Sequence, residues 1–294
     1  MLCGSSNGAR NIFAGPQAFR LQRIQMNIEK GTADVNGARL YYEAAGTGHP
    51  LIFMHGFGGN HHLWDCQFDF FAAHYRIVCF DMRGFGKSSL PTDTKVHYAE
   101  DLKALMHHLK IKSAYIGGQS LGGLVTLRFA LTYPDAIDAL ILVDAGMEGY
   151  EWSAPYVASM EAIYSLARKE GLPAARALLN RHPIGAPARA NPAASAHLKK
   201  YADYSGWHLL NITPFDHHDK TIAGRVHEIK KPALIVIGEL DLPDFHGIAD
   251  HLQRNISKSQ KVQLSGVGHV SNLESPEAFN NAVLQFLKEC DAMR

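Results

Sequence analysis

No apolar run in this 294-residue chain reaches the roughly 18 residues a helix needs to cross a bilayer, so a spanning helix is excluded. An excess of one charge is lacking too. The 29 Lys and Arg stand against 28 Asp and Glu, a net charge of +1, so no bulk field selects nucleic acid or an anionic membrane. Cysteine is scarce. The four present (Cys3, Cys66, Cys79 and Cys290) have neither metal-ligand spacing nor the density of a disulfide scaffold, and they read as free thiols of a reducing, cytoplasmic compartment. There is no internal repeat and no low-complexity tract. What is present is an ordinary globular composition, 46% hydrophobic and 19% charged, able to bury a large core. The length exceeds the usual domain of about 100–200 residues but suits a single α/β domain carrying an insertion.

Residues 1–26 stand apart. Arg10, Arg20 and Arg23 occur there without an acidic residue before Glu29 and without the apolar stretch of a secretory signal. A leader or disordered extension is expected, with an organelle presequence as the alternative. From about Glu29 the chain alternates short apolar runs with helical patterns. Strands are expected at Ala33–Val35, Leu40–Glu43, Leu51–Met54, Ile77–Phe80, Ala114–Ile116, Ala139–Val143, Ala233–Ile237 and Val262–Leu264. The later runs are continuously apolar, as parallel strands covered on both faces require. Helices are expected at Tyr98–Leu109, Leu121–Tyr133 and Pro276–Leu287, the last opened by Ser275 as N-cap and Pro276 at the first helical position. This alternation specifies a doubly wound α/β sheet. It breaks between residues 146 and 226, where Ala-rich helical stretches occur without a strand, and an inserted helical lid is expected there. The core then comprises residues 27–145 and 227–294.

The strongest chemical signal is Gly118-x-Ser120-x-Gly122, lying between an apolar strand and a helix. Ser120 is placed on a strained turn that lifts its hydroxyl from the sheet edge, with the Leu121 N–H at the following helix start. Alone, the pattern is weak; its place between strand and helix gives it weight. A serine hydroxyl needs a base, and position selects one among the 17 histidines. His269 follows the last strand, on the same carboxyl edge as Ser120. The adjacent pairs His61–His62, His107–His108 and His217–His218 point in divergent directions and read as surface or packing residues, not a metal site. The acid that orients His269 is expected at Asp241, after the strand Ala233–Ile237, with Asp144, Glu239 and Asp244 as rivals. The Gly-rich turn His55-Gly56-Phe57-Gly58-Gly59-Asn60 offers backbone N–H groups, and Phe57 with Leu121 forms the expected oxyanion hole. Phosphate-binding patterns are absent from it. Asp81 and Arg83, in a second Gly-rich turn, read as a structural salt-bridged turn.

His55-Gly56-Phe57-Gly58, Asp81-x-Arg83-Gly84-x-Gly86-x-Ser88, Gly118-x-Ser120-x-Gly122-Gly123, Gly238-Glu239-x-Asp241 and Gly268-His269 together resemble the motif set of the α/β-hydrolase superfamily, in its order, over about residues 27–287. The branch resembled is that of small serine esterases, with enol-lactonases, carbon–carbon bond hydrolases and perhydrolases. The resemblance implies a mostly parallel eight-stranded sheet, a triad of Ser120, Asp241 and His269, and carboxylesterase-type hydrolysis through an acyl-enzyme. It implies no metal and no organic cofactor. Epoxide hydrolases and dehalogenases carry aspartate where this chain has Ser120. Ring-cleavage carbon–carbon hydrolases often carry Asn and Trp where this chain has Gln119 and Val270. A lactonase or carbon–carbon hydrolase with the same triad is the alternative activity; a ligand receptor with slow turnover is the alternative class.

In the expected lid, Trp152, Tyr156, Met160, Ile163, Tyr164, Trp207, Leu209 and Leu210 supply apolar surface. Most read as packing, while Trp152, Tyr156 and Trp207 are the expected substrate-binding side chains. Short to medium acyl esters are expected, with a local Arg such as Arg189 able to anchor an anionic group. The expected partner is a small-molecule ester, and the expected state a monomer or dimer.

Overall fold

A computed structural model describes residues 27–92, 96–201, 205–211 and 221–294. The expected leader, residues 1–26, and the His217–His218 pair lie outside the described residues.

Eight strands form one sheet: β1 (Glu29–Val35), β2 (Ala38–Ala45), β3 (Pro50–Met54), β4 (Arg76–Phe80), β5 (Ala114–Gln119), β6 (Ile137–Val143), β7 (Ala233–Gly238) and β8 (Ser259–Leu264). They lie in the order β1-β2-β4-β3-β5-β6-β7-β8. β2 pairs antiparallel with β1 and β4; the other pairings are parallel. The mostly parallel α/β-hydrolase sheet expected from the motifs is the one found, and every apolar run read as a strand is a strand.

Alternating side chains explain why both faces are covered. Ile52, Met54, Val78, Phe80, Ile116, Leu140, Leu142, Ile235 and Ile237 enter one core cluster. That cluster holds the apolar faces of α2 (Tyr98–His108), α3 (Leu121–Thr132) and α10 (Pro243–Asn255). The intervening residues Leu51, Phe53, Ile77, Cys79, Tyr115, Ile141, Val143, Leu234 and Val236 enter the other, with α1 (Asp65–Ala72) and α12 (Pro276–Ala292). Leu102 and Leu105 of α2, or Phe279, Val283 and Phe286 of α12, are each at most 3% exposed, so each helix contributes a full apolar stripe.

Between β6 and β7 the described residues form helices joined by loops, without a strand: α4 (Ala154–Glu170), α5 (Leu172–Leu179), α6 (Ala186–Ala190), α7 (Pro192–Tyr201), α8 (Trp207–Asn211) and α9 (Ile222–Arg225). α4 is capped by Ser153, whose side chain accepts from the Tyr156 N–H. A last short helix, α11 (Ser271–Glu274), precedes α12.

The order reverses between β3 and β5, because β4 lies on one side of β3 and β5 on the other. At such a switch point the loops leaving the strands' carboxyl ends diverge and open a crevice. Five chemistry-bearing residues leave that same edge: Phe57 after β3, Ser120 after β5, Asp144 after β6, Asp241 after β7 and His269 after β8.

Candidate active site

Ser120 stands between β5 and α3 with φ 52° and ψ −108°, a region L-residues rarely occupy. Such a conformation costs about 1–3 kcal/mol and persists only where the surroundings enforce it. They do. Its N–H donates to the Val143 carbonyl at 2.9 Å, and its carbonyl accepts from Gly146 at 3.0 Å and Leu124 at 3.1 Å. The flanking glycines leave room for the turn. A Cβ on Gly118 would overlap the Gly122–Gly123 peptide, and one on Gly122 would lie 2.5 Å from the Met54 carbonyl oxygen. Leu121 opens α3, so its N–H belongs to the group that a helix leaves without an internal acceptor. The turn after β3 comes close: a Cβ on Gly56 would meet the Ser120 Cβ at 3.3 Å, which sets Phe57 beside the serine.

His269 and Asp241 meet. The His269 Nδ1–H donates to Asp241 Oδ2 at 2.8 Å, and both residues are buried. Burial by itself depresses the imidazole, but the Asp241 charge and hydrogen bond, then the charges of Asp144 and Glu274, outweigh it and hold the His269 pKa above its ordinary value. The loop carrying His269 is also tied to the strand that ends at Ser120. Gln119, the residue before Ser120, donates from Nε2 to the His269 carbonyl at 2.7 Å.

Each rival carboxylate is engaged elsewhere. Asp144 is fully buried at φ 44°, and its oxygens accept from the Gly238 N–H (2.9 Å), the Ser271 N–H (3.2 Å) and the Ser271 hydroxyl (2.7 Å). Burial, then the neighbouring Asp241 charge, pushes its pKa above the usual carboxylate range. Glu239 accepts from the Gly266 N–H, and Asp244 accepts from the N–H and hydroxyl of Ser153 at the head of α4. None of the three touches the His269 ring; Asp241 does.

The second Gly-rich turn corrects one reading. Asp81 and Arg83 do not pair with each other. Asp81 accepts from the His61 Nδ1–H at 2.8 Å and from the His61 and Lys87 N–H groups, while Arg83 forks onto Asp101 at 2.8 and 2.6 Å. The reason is location: Asp81 faces inward beneath His61, and the Arg83 stem reaches across to α2. Both residues remain structural. His61 also faces Glu43 through Nε2 at 3.4 Å. Its burial is outweighed by these two carboxylates, which raise its pKa to about 9. His55 is the opposite case: burial lowers its pKa to about 4, so it is a neutral ring that donates to the Gly56 carbonyl and accepts from the Met82 N–H. His107 and His108 are exposed in the last turn of α2.

Aromatic side chains wall the space around these groups. Phe245 packs its ring 4.2 Å from that of His269. Trp152 stacks on Tyr156 at 4.5 Å, and both meet Phe245, at 5.4 and 5.9 Å. Around Phe57 lie Tyr164 at 6.4 Å and His208 at 6.0 Å. His208, not its neighbour Trp207, stacks on Phe85 at 4.1 Å and bonds the Tyr98 hydroxyl; Trp207 is half-buried with its ring edge to His208. Leu209 is buried and Leu210 exposed, so the apolar stripe of the insertion is divided between packing and solvent. Arg189 is exposed and donates to the His182 carbonyl at 3.0 Å. Among the described residues no cluster of three or more His, Cys, Asp and Glu side chains is placed to hold a metal ion, and no helix is long and apolar enough to cross a membrane.

Three contributors carry little signal in the sequence. Gln119 stands out in the sequence only as a departure from a family pattern, His208 is one of 17 histidines, and Glu274 is an acidic residue on a short turn. A carboxylate five positions after His269, just before a Ser-Pro helix start, is the cue available for the last.

A model of the alpha/beta hydrolase fold family matches residues 49–276. The AB hydrolase superfamily protein YisY of Bacillus subtilis is 26% identical over 268 residues, covering 84% of this chain and 94% of that protein. A 2-hydroxy-6-oxononadienedioate/2-hydroxy-6-oxononatrienedioate hydrolase of Comamonas testosteroni is 26% identical over 272 residues, covering 88% and 93%. Among solved structures, the enol-lactonase from Burkholderia xenovorans LB400 superposes with a TM-score of 0.75 at 28% identity, covering 88% of this chain and all of that one.

Proposed function

The chain belongs to the α/β-hydrolase fold family, and from that premise we propose that it hydrolyses uncharged carboxylic esters of short to medium acyl chain through an acyl-enzyme on Ser120. The observation that carries this reading is the 2.8 Å bond from His269 Nδ1 to the buried Asp241, tied by Gln119 to the strand that ends in a strained Ser120.

In this mechanism the Ser120 Oγ attacks the ester carbonyl while His269 Nε2 takes its proton. Asp241 fixes the tautomer with Nδ1 protonated and stabilises the imidazolium that forms. The N–H groups of Phe57 and Leu121 hold the tetrahedral oxyanion, a contribution that at one donor is worth about 3–4 kcal/mol. His269 then gives its proton to the departing alkoxide. Water, deprotonated in turn by His269, attacks the acyl carbon, and His269 returns that proton to the Ser120 Oγ as the acid leaves. Substrate choice follows from the walls. Trp152, Tyr156 and Phe245 beside the base and Phe57 and Tyr164 beside the serine are aromatic, and burial, then the charges of His269 and Arg189, keeps the nearby His182 below its ordinary pKa. An apolar acyl group gains roughly 0.8 kcal/mol per methylene that fits, and nothing beyond the walls. The helices from α4 to α9 act as the lid that roofs the site.

Cyclic esters form the second reading, supported by the likeness to the enol-lactonase. Specificity constants for nitrophenyl esters from acetate to palmitate, measured beside an enol-lactone and a vinylogous diketone, decide among these. The account expects a maximum within the first several carbons. A maximum at palmitate makes the enzyme a lipase, and turnover of the diketone alone makes it a carbon–carbon hydrolase.

A further inference from the structure

Resting on that reading of Ser120 and His269, we propose that Glu274 is a positioning residue for the base: its one carboxylate clasps the peptide units on both sides of His269 and holds the imidazole at its working height and charge.

The geometry is specific. Glu274 Oε2 accepts from the Gly268 N–H at 2.8 Å, and Oε1 accepts from the Val270 N–H at 3.1 Å. Those two N–H groups flank His269. The His269 carbonyl is held separately by Gln119, and its ring by Asp241. A loop residue is thus fixed before, at and after its own position, which a free loop end after β8 would not achieve. The carboxylate is itself set in place. Glu274 is 8% exposed and closes the single turn of α11, where its own carbonyl accepts from Asn191 Nδ2 at 2.9 Å. Gly268 has no side chain because Pro187 of α6 occupies the space: a Cβ there would come within 2.6 Å of the proline ring. With Pro187 pressed against one side of the loop, an unclasped loop has room to move only away from the insertion. A displacement of about 1 Å at a reacting group can cost about a hundredfold in rate.

Charge adds to position. The ionisable groups facing His269 are Asp241 after β7, Asp144 after β6, Glu274 on α11 and His182 from the insertion. The three carboxylates all favour the imidazolium, and His182 opposes it. Removing the Glu274 charge therefore lowers the His269 pKa and lets the base work at lower pH. Burial holds the pKa of Glu274 above its ordinary value, and the two N–H bonds oppose that rise.

The test needs no knowledge of the natural ester. A fluorophosphonate reacts with the activated serine, so its saturation kinetics give an inactivation rate and a binding constant, and the rate against pH gives the acidic limb set by His269. Glu274→Gln keeps the shape but puts an amide N–H against one of the two peptide N–H groups. It should slow labelling about 10- to 100-fold at neutral pH, leave probe binding within about threefold, and move the acidic limb about half a unit to lower pH. Glu274→Asp keeps the charge but is too short to reach both N–H groups, so it should slow labelling with the limb unmoved. Labelling of Glu274→Gln at the wild-type rate overturns the proposal, and so does slow labelling with an unmoved limb, which is what mere structural damage gives. Should Glu274→Gln not fold, Glu274→Asp decides: slower labelling at saturation with probe binding within about threefold of wild type supports the clasp, and the wild-type rate, or slow labelling through weakened probe binding, overturns it. Wild-type protein that takes no label at Ser120 removes the hydrolase reading instead, so the two failures are distinct.

Discussion

Two buried histidines, His269 and His61, sit among carboxylates with their pKa raised, yet the proposed chemistry uses only one. His61 is spanned. Asp81 takes Nδ1 and Glu43 faces Nε2, with Tyr41 and Lys30 closing on the same Glu43 oxygen at 2.6 and 2.9 Å. Both nitrogens serve the fold, locking the turn after β3 to β2 and β4. His269 is held differently. One carboxylate engages its ring, at Nδ1, and the rest of its support comes through its backbone by way of Gln119 and Glu274. A histidine becomes a strut when carboxylates hold it from both sides. It becomes a candidate base when one nitrogen is oriented and the other is left for a hydroxyl.

Alanine at the two positions breaks the comparison most sharply. His269→Ala should cost turnover by roughly a million-fold while leaving the fold standing. His61→Ala should leave turnover per folded molecule near wild type but lower stability by about 3–5 kcal/mol, because Asp81 and Glu43 keep their charges in a buried site. Steady-state kinetics beside urea unfolding of the two variants separates the effects. An activity loss in His61→Ala as deep as in His269→Ala would erase the distinction.

Next in size is the acid. Asp241→Asn should lower kcat about ten-thousandfold with little change in KM, since the amide favours the wrong tautomer of His269. Asp144→Asn touches no ring atom, so its effect on kcat should be far smaller. Its measurable cost is stability, about 1–3 kcal/mol, from misfit against Gly238 and Ser271. Reversed kinetic results would move the acid to the end of β6.

How much of this was legible in the sequence follows from what kind of contact each residue makes. The strands were legible because an apolar run buried on both faces needs no distant partner to be recognised. Ser120 was legible because its turn demands Gly118 and Gly122 locally. Asp241 was the expected partner of His269 on position and motif, with Asp144, Glu239 and Asp244 as rivals that also follow parallel strands; the three-dimensional edge brings Asp241 to the His269 ring. The partners of Asp81 and Arg83 were misread because both contacts cross elements, to His61 and to Asp101 of α2. Sequence neighbours in a turn suggested a pair, but the backbone aims them apart. Gln119, Glu274 and His208 act through contacts of that same long-range kind, or through main-chain groups that leave no residue pattern.

The pH dependence of stability sharpens the comparison further. The His61 pKa in the folded protein, about 9, lies above its ordinary value of 6.5. Its ion pairs therefore stabilise fully below about pH 6.5, and that contribution is lost as pH rises through 9. The melting temperature of wild type should fall across that window more steeply than that of His61→Gln. His269 shifts in the same sense in both proteins, so the difference between the two curves reports His61 alone. Parallel curves would mean that His61 is not held as the cation. The smallest effect belongs to the neighbour: His62, half-exposed with Asp65 at 3.0 Å, should change stability by no more than about 0.5 kcal/mol as His62→Ala.

The central claim is that Ser120 is the nucleophile and His269, not His61, its base. Mass mapping of the adduct left by a fluorophosphonate on wild type, Ser120→Ala, His269→Ala and His61→Ala tests it directly. One adduct per chain is expected, on Ser120, absent from Ser120→Ala, formed orders of magnitude more slowly in His269→Ala, and formed at the wild-type rate in folded His61→Ala. An adduct on a different serine, or labelling in His269→Ala as fast as in wild type, would contradict it.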